Sequence, residues 1–463
     1  MSTNYRENKM GYMPENKLLL SMSIPMMLSM LIQALYNIVD GLFVAGISET
    51  KFELEAVTLA FPAQNLMIAV SVGIGVGLNA LISRNLGIGN HKKASKIAGQ
   101  GLFLAIVSYL LFATIGFALV PKYFELYTAD MMSNDPFKAH AVLELGVQYL
   151  RICFLASFGL FCQVVHEKFM QSTGKTMLSM TTQVVGAIAN IILDPILIYG
   201  WFGLPALGIV GAAYATVAGQ IISAIVGIIL HNKKNHELSF TKEDIKPDAK
   251  IIKEIFGIGL PSILMNSIGS FMTAAFNKII MALSSDAVNV FGIYFKLQSF
   301  VFMPVFGLNN GMISIVSYNY GARKKKRVTR TIKLGLVYAV SMMLIGFALF
   351  QIFPDVFLEM FQMDSAKDVG IPALRTISIS FIFAGFSIIC AAVFQAFGYG
   401  LFAMLVSIGR QLVTLLPVAS LLATTGEINN VWWAFPIAEV VCVILSLIFF
   451  VYIYKKKIVP ITD

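Results

Sequence analysis

Two aspartates lie inside long apolar runs, each four residues after a polar partner: Tyr36 and Asp40 in LIQALYNIVDGLFV, Asn190 and Asp194 in GAIANIILDPILI. Residues four apart share a helix face, so each pair presents its two polar groups together. An acid at the bilayer centre costs about 2.5–3.5 kcal/mol on insertion scales, and such acids are kept for function. Two carboxylates, an amide and a phenol suit a site for H⁺ or Na⁺. Asn37, beside Tyr36, adds a polar group to the same stretch. Pro195 directly follows Asp194; having no N–H, it interrupts the helical ladder and can free carbonyl groups.

Other charges inside apolar runs say less. Glu439, in WWAFPIAEVVCV, is a few residues into its run and could reach the outer interface. Lys278, Lys296 and Arg410 give the second half a positive interior. Lys278 is near enough to a span end to snorkel. Arg410 reads first as a contact between helices, and Lys296 as a cavity-lining or structural polar group. STGKT at 172–176 lacks the first glycine of a phosphate loop, with Phe169 in its place, which argues against ATP as the energy source. Cys153, Cys162, Cys390 and Cys442 lie in apolar spans without CxxC spacing, and the five histidines form no HExxH. No catalytic constellation stands out, so a transporter is expected rather than an enzyme, with no cofactor beyond a coupling ion.

The elements that must position these residues follow from composition. Of 463 residues, 57% are hydrophobic and only 13% charged, against about 25% charged in soluble proteins; mean hydropathy is +0.77. Runs of about 20 apolar residues predict twelve spans: 18–44, 56–83, 97–120, 141–163, 177–198, 207–230, 255–283, 288–318, 331–352, 370–396, 401–423 and 432–454. The first is too long for a signal-peptide core and is read as retained. Of the 34 Lys and Arg, 25 fall on the termini and even-numbered connections, including Arg6, Lys168 and Lys175, and only Lys51, Lys122, Lys138 and Lys367 on odd ones. The positive-inside rule then places both termini in the cytoplasm. The +9 net charge becomes an address on the inner face, with no nucleic-acid partner required.

The chain also repeats itself. SRNLG at 83–87 matches SYNYG at 317–321, and Gly73, Gly77, Asn85, Gly87 and Gly101 meet Gly307, Gly311, Asn319, Gly321 and Gly335 at a constant offset of 234. IGFAL occurs twice, at 115–119 and 345–349, and FMQSTG at 169–174 answers VFQAFG at 393–398. The expected fold is an all-α integral membrane protein: twelve transmembrane helices in two pseudo-two-fold-related six-helix lobes around a central cavity. Residues 1–230 would form the N-terminal lobe, 231–253 a cytoplasmic linker and 254–463 the C-terminal lobe.

The segments IPMMLSMLIQALYNIVDGLFVAG, SRNLGIGNHKKA, ANIILDPILIYG, GIVGAAYATV, IVSYNYGARKKKRV and SIGRQLVTLLP, in this order, resemble the multidrug and toxic compound extrusion (MATE) transporters of bacteria. The resemblance implies a V-shaped pair of lobes working by alternating access, exporting cationic, often aromatic compounds in exchange for H⁺ or Na⁺. It implies a cation site at Asp40, Asn190, Asp194 and Thr216 with the carbonyl of Ala212, Tyr36 beside it, and Na⁺ as one ion that Asp40, Asn190, Asp194 and Thr216 would bind. Some relatives carry acids on the seventh and tenth helices; LPSILMNSIGSFMTAAFNKII and ALRTISISFIFAGFSIICAAVFQ contain none, so coupling is expected in the N-lobe. Expected partners are a small cationic or aromatic substrate and membrane lipids, with the chain a monomer in the bacterial cytoplasmic (inner) membrane. A lipid-linked oligosaccharide flippase of the same superfamily is the alternative, disfavoured by twelve helices and an acid-bearing first lobe.

Overall fold

A backbone N–H or C=O in hydrocarbon has no water to bond, so a chain of this composition satisfies its peptide groups within helices. The structure, a computed structural model, describes residues 8–361, 363 and 366–461; Arg6 lies outside them. Among the described residues the regular elements are helical. Among the described residues ten helices are long and apolar enough to cross a membrane, from Glu15–Ala45 to Ile428–Ile458. Two bent pairs, Pro136–Leu155 with Phe158–Ser172 and Lys367–Ser378 with Phe381–Ala396, bring the spans to twelve. Large apolar side chains such as Phe117, Ile345, Leu421 and Ile448 stand exposed on these helices, as lipid-facing positions require and a soluble surface rarely allows.

The bent pairs correct the sequence reading of the fourth span. Its apolar run ends near 163, yet the helix Phe158–Ser172 carries on and buries Glu167 and Lys168, which had been assigned to a connection. Glu167 accepts from Gln163 at 2.9 Å and from Gln183 at 2.6 Å. Lys168 donates to Gln171 at 2.9 Å, and Gln171 donates to Ser179 at 3.0 Å. Hydropathy ended the span too soon because it counts these charges at full cost, while neighbouring amides hydrogen-bond them inside the protein.

Internal duplication is visible in three dimensions. The two breaks, at 156–157 and 379–380, come in the fourth and tenth spans with bends of 46° and 45°. Both helices that follow end alike: Gly174 and Gly398 have φ of +79° and +86°. Lys175 N–H donates to Met170 and Tyr399 N–H to Phe394, while Gly174 and Gly398 donate to Gln171 and Gln395. That is the Schellman arrangement, which needs a left-handed residue and so favours glycine.

By spatial proximity the chain forms two compact units: Met1–Met30 with Ser83–Asn90 and Phe256–Asp463, and Leu31–Ile82 with His91–Ile255. Each half of the sequence thus contributes its opening segment to the unit holding most of the other half. In the first unit the short helix Lys9–Tyr12 docks through its Met10 carbonyl, which accepts from Asn319 at 3.0 Å and Arg327 at 3.1 Å; Arg327 also pairs with Glu15 at 3.5 Å. In the second, the short helix Lys242–Ile245 docks through the Asp244 carbonyl, which accepts from Gln100 at 2.7 Å. Met10 and Asp244 are separated by the repeat offset, and so are Lys93 and Arg327; Lys93 pairs with Glu254 at 3.1 Å. Lys96 beside Asp248, 2.5 Å away, holds that carboxyl below the ordinary aspartate range. The connection at 231–253 thus docks through the residues around Asp244 and Asp248.

Within the first unit the repeated pentapeptides meet each other. A Cβ on Gly87 would collide with the Tyr318 carbonyl, and one on Gly321 with the Arg84 carbonyl. Shifting either contact by 234 gives the other, as a two-fold relation demands. Gly87→Ala and Gly321→Ala are each expected to lower stability by about 1–3 kcal/mol through overpacking. Gly257→Ala, in a helix with nothing within 4 Å of the added methyl, should leave it unchanged or raise it; thermal melting of the three purified proteins in detergent checks this.

Candidate functional site

The helices Thr176–Tyr199 and Ile209–Lys234 carry most of the expected cation site, and small residues let them approach closely. A Cβ on Gly186 would come within 2.8 Å of the Ser223 Cβ, and one on Gly219 within 2.9 Å of the Gly186 carbonyl. Ser223 donates to the Thr182 carbonyl across the same seam at 2.7 Å. The turn between the helices is fixed by Gly200 at φ +74° and by Leu207 and Gly208 N–H groups donating to the Leu197 and Ile198 carbonyls at 3.0 and 3.1 Å. Tyr199 donates to the Phe43 carbonyl at 2.7 Å, which ties the Asp194 helix to the end of the Asp40 helix.

On this frame Asp194 is fully buried, and its carboxyl group meets that of Asp40 within hydrogen-bonding reach. Oδ1 of Asp40 is buried without a hydrogen-bond partner. Asn190, oriented by its hydrogen bonds, donates to Asp194 Oδ2 at 3.3 Å and accepts from the Thr216 backbone N–H at 3.2 Å. Ala212, buried, lies one turn before Thr216 on the same helix. Tyr36 is in electrostatic contact with both aspartates. Two carboxylates cannot share such a contact while both are charged and unaccompanied. A shared proton or an accompanying cation is what relieves such a repulsion.

The structure adds three residues that the sequence did not flag. Gln64 donates to the Tyr149 hydroxyl and to Cys153 Sγ, both at 3.3 Å, and Tyr149 and Cys153 are in electrostatic contact with Asp40. Tyr149 and Cys153 are four apart on one helix, a spacing that was legible; their convergence on Asp40 was not. Asn37 is exposed; it is not among the groups in contact with the two aspartates. Among the described residues no three His, Cys, Asp or Glu side chains converge to hold a metal ion, so any Na⁺ here would rely on two carboxylates and uncharged oxygens.

The MatE family model matches residues 25–196 and 261–421. The chain belongs to the MatE family. It is 27% identical to a multidrug export protein MepA of Staphylococcus haemolyticus over 98% of this chain and 97% of that one. It is 26% identical to MepA of Staphylococcus aureus strain MRSA252, over 96% and 95%. Among solved structures, an outward-facing multidrug resistance MATE family transporter of the MOP superfamily superposes with a TM-score of 0.87 at 26% identity, covering 97% of this chain and 98% of that one. This MatE protein is a multi-pass membrane transporter with the twelve-helix, two-lobed fold, and not an enzyme.

In the first unit of the MatE chain, Arg410 Nη1 donates to Glu439 Oε2 at 3.2 Å. Glu439 is buried, inside the protein rather than reaching for an interface, and Arg410 sits in a π-helical stretch, Gly409–Leu415. Tyr294 is in electrostatic contact with both. The pair answers what each charge does there: each neutralises the other. Lys296 places Nζ 5.7 Å from the Phe361 ring centroid. Glu439→Gln, which leaves Arg410 without its anion, is expected to lower stability by about 2 kcal/mol. This is less than for a fully buried pair, because the Arg410 side chain is 36% exposed. Adding Arg410→Met should recover most of the loss, read from thermal melting of both variants in detergent.

Proposed function

We propose that this transporter is a secondary antiporter of the bacterial cytoplasmic membrane, exporting cationic, amphipathic or aromatic compounds in exchange for H⁺ or Na⁺. The observation that carries the reading is the Asp40–Asp194 carboxyl contact, with Asn190 bridging to the Thr216 backbone; the multidrug export proteins among its relatives supply the substrate class. The two moving lobes are 1–230 and 254–463, acting as a monomer with both termini in the cytoplasm. One or two cations entering from outside neutralise the pair and bias the equilibrium between outward-open and inward-open states. A membrane potential supplies about 2.3 kcal/mol per charge per 100 mV. A ligand shifts such an equilibrium only by binding one state better, so cation and drug either favour different states or compete for one.

Coupling in the N-lobe is tested in proteoliposomes with an imposed pH or Na⁺ gradient and a cationic dye. Asp40→Asn and Asp194→Asn are expected to reduce gradient-driven efflux at least about tenfold, the loss of roughly 1.4 kcal/mol of coupling, while Asn37→Ser exports normally. Normal export by both aspartate variants, folded and inserted, would sink the coupling role. The gradient that drives the wild type distinguishes H⁺ from Na⁺.

A further inference from the structure

Where several span ends of the first unit come together, an open cavity of about 490 Å³ is lined by Arg84, Arg323, Lys456 and Lys457 with Tyr320 and Ile88 among the remaining lining groups, and among the described residues no lining side chain is acidic. It gathers three chain segments: the ends of the helices Phe52–Ile88 and Ser285–Gly321, and the π-helical stretch Tyr454–Ile458 after the last span. Three of its four cations lie over aromatic rings. The Arg84 guanidinium lies 4.9 Å from the Tyr320 ring centroid, Lys456 Nζ 5.1 Å from that of Tyr452, and Lys457 Nζ 5.8 Å from that of Tyr399. Lys456 also donates to the Tyr452 hydroxyl at 2.7 Å, and Tyr399 and Tyr452 pack edge to face. Arg323 stands at φ +58° in the turn after Gly321. Beside this basic hollow Ile88 is 56% exposed and Val459 49% exposed.

We propose that this cavity binds a phosphate group, that of an anionic phospholipid in the leaflet it faces. Four cations converging on one hollow have no use for one another: like charges repel unless an anion lies between them. Guanidinium and ammonium groups recognise phosphate oxygens directly. Aromatic rings at span ends occupy headgroup level, and exposed Ile88 and Val459 give acyl chains an apolar surface next to the charge. Lysines and arginines near an anionic leaflet each contribute about a fivefold gain in affinity. Placing the cavity at the cytoplasmic leaflet rests on the topology proposed above; binding itself does not depend on orientation or on transport, so the two readings can fail separately.

The test is native mass spectrometry of the full chain in detergent, titrated with phosphatidylglycerol, phosphatidylcholine or inorganic phosphate. Wild type should retain phosphatidylglycerol over phosphatidylcholine. Arg84→Gln with Lys457→Gln should lose about twenty-five-fold in that affinity, two cations at about fivefold each, while Lys455→Gln, the same charge change at a residue that does not line the cavity, keeps it. Lys457→Gln alone, at the exposed chain end, should lose about fivefold and stands in if the double variant fails to fold. Displacement of phosphatidylglycerol by millimolar inorganic phosphate supports phosphate as the recognised group. Binding of inorganic phosphate with no preference for phosphatidylglycerol assigns the cavity to free phosphate and overturns the lipid as its source. Equal phosphatidylglycerol binding by wild type and the cavity variants overturns the site.

Discussion

A polar atom in hydrocarbon has only the protein to bond to, and the contact between Asp40 and Asp194 is where that constraint presses hardest. The two carboxyls arrive on different helices, and the second unit is arranged to bring them there. Gly186 and Gly219 remove the bulk between the Thr176–Tyr199 and Ile209–Lys234 helices, so Asn190 can reach Asp194 with one side of its amide and the Thr216 backbone with the other. Tyr199 ties the far end of the same helix to Phe43. Pro195 sits directly after Asp194 inside the helix, where a missing N–H leaves a carbonyl four residues back without its usual donor. Close packing and an amide bridge hold the two carboxyls together, with a weakened rung of the helix directly beside them.

The same constraint explains the second polar layer. Glu167 and Lys168 are buried next to each other in sequence, yet each is satisfied by neutral partners, Gln163 and Gln183 for the acid and Gln171 for the base. Arg410 and Glu439 meet it differently, by pairing directly. A charge with several fixed dipoles around it is a structural group, and one pairing with its opposite is too. Asp40 meets a second acid, Asp194, where the others meet dipoles or an opposite charge.

Duplication sets the larger architecture. Gly87 against Tyr318 and Gly321 against Arg84 are one contact made twice, and the docking of Met10 on one side and Asp244 on the other repeats it at the opening segments. Contacts that recur at one offset are what an internal duplication about a two-fold axis produces. The glycine-capped ends at Gly174 and Gly398 repeat the pattern again.

Much of this was legible in the sequence because lipid is a severe solvent. Twenty apolar residues in a row have few alternatives to a membrane helix, so the twelve spans, the family and the rarity of buried acids follow from composition and order. Identity at fixed offsets made the duplication visible, and spacing of four placed Tyr36 with Asp40 and Asn190 with Asp194. Hydropathy failed where charge is hidden by side-chain dipoles, which is why the fourth span was cut short before Glu167. It was silent about anything made by helices meeting at an angle: Gln64, Tyr149 and Cys153 beside Asp40, the pairing of Arg410 with Glu439, the docking of 242–245, and four scattered cations closing on one cavity. A sequence records which residues share a helix face, since that depends on local geometry alone. Which faces then meet depends on small residues, bends and caps acting together over hundreds of positions, and only the tertiary structure decides it.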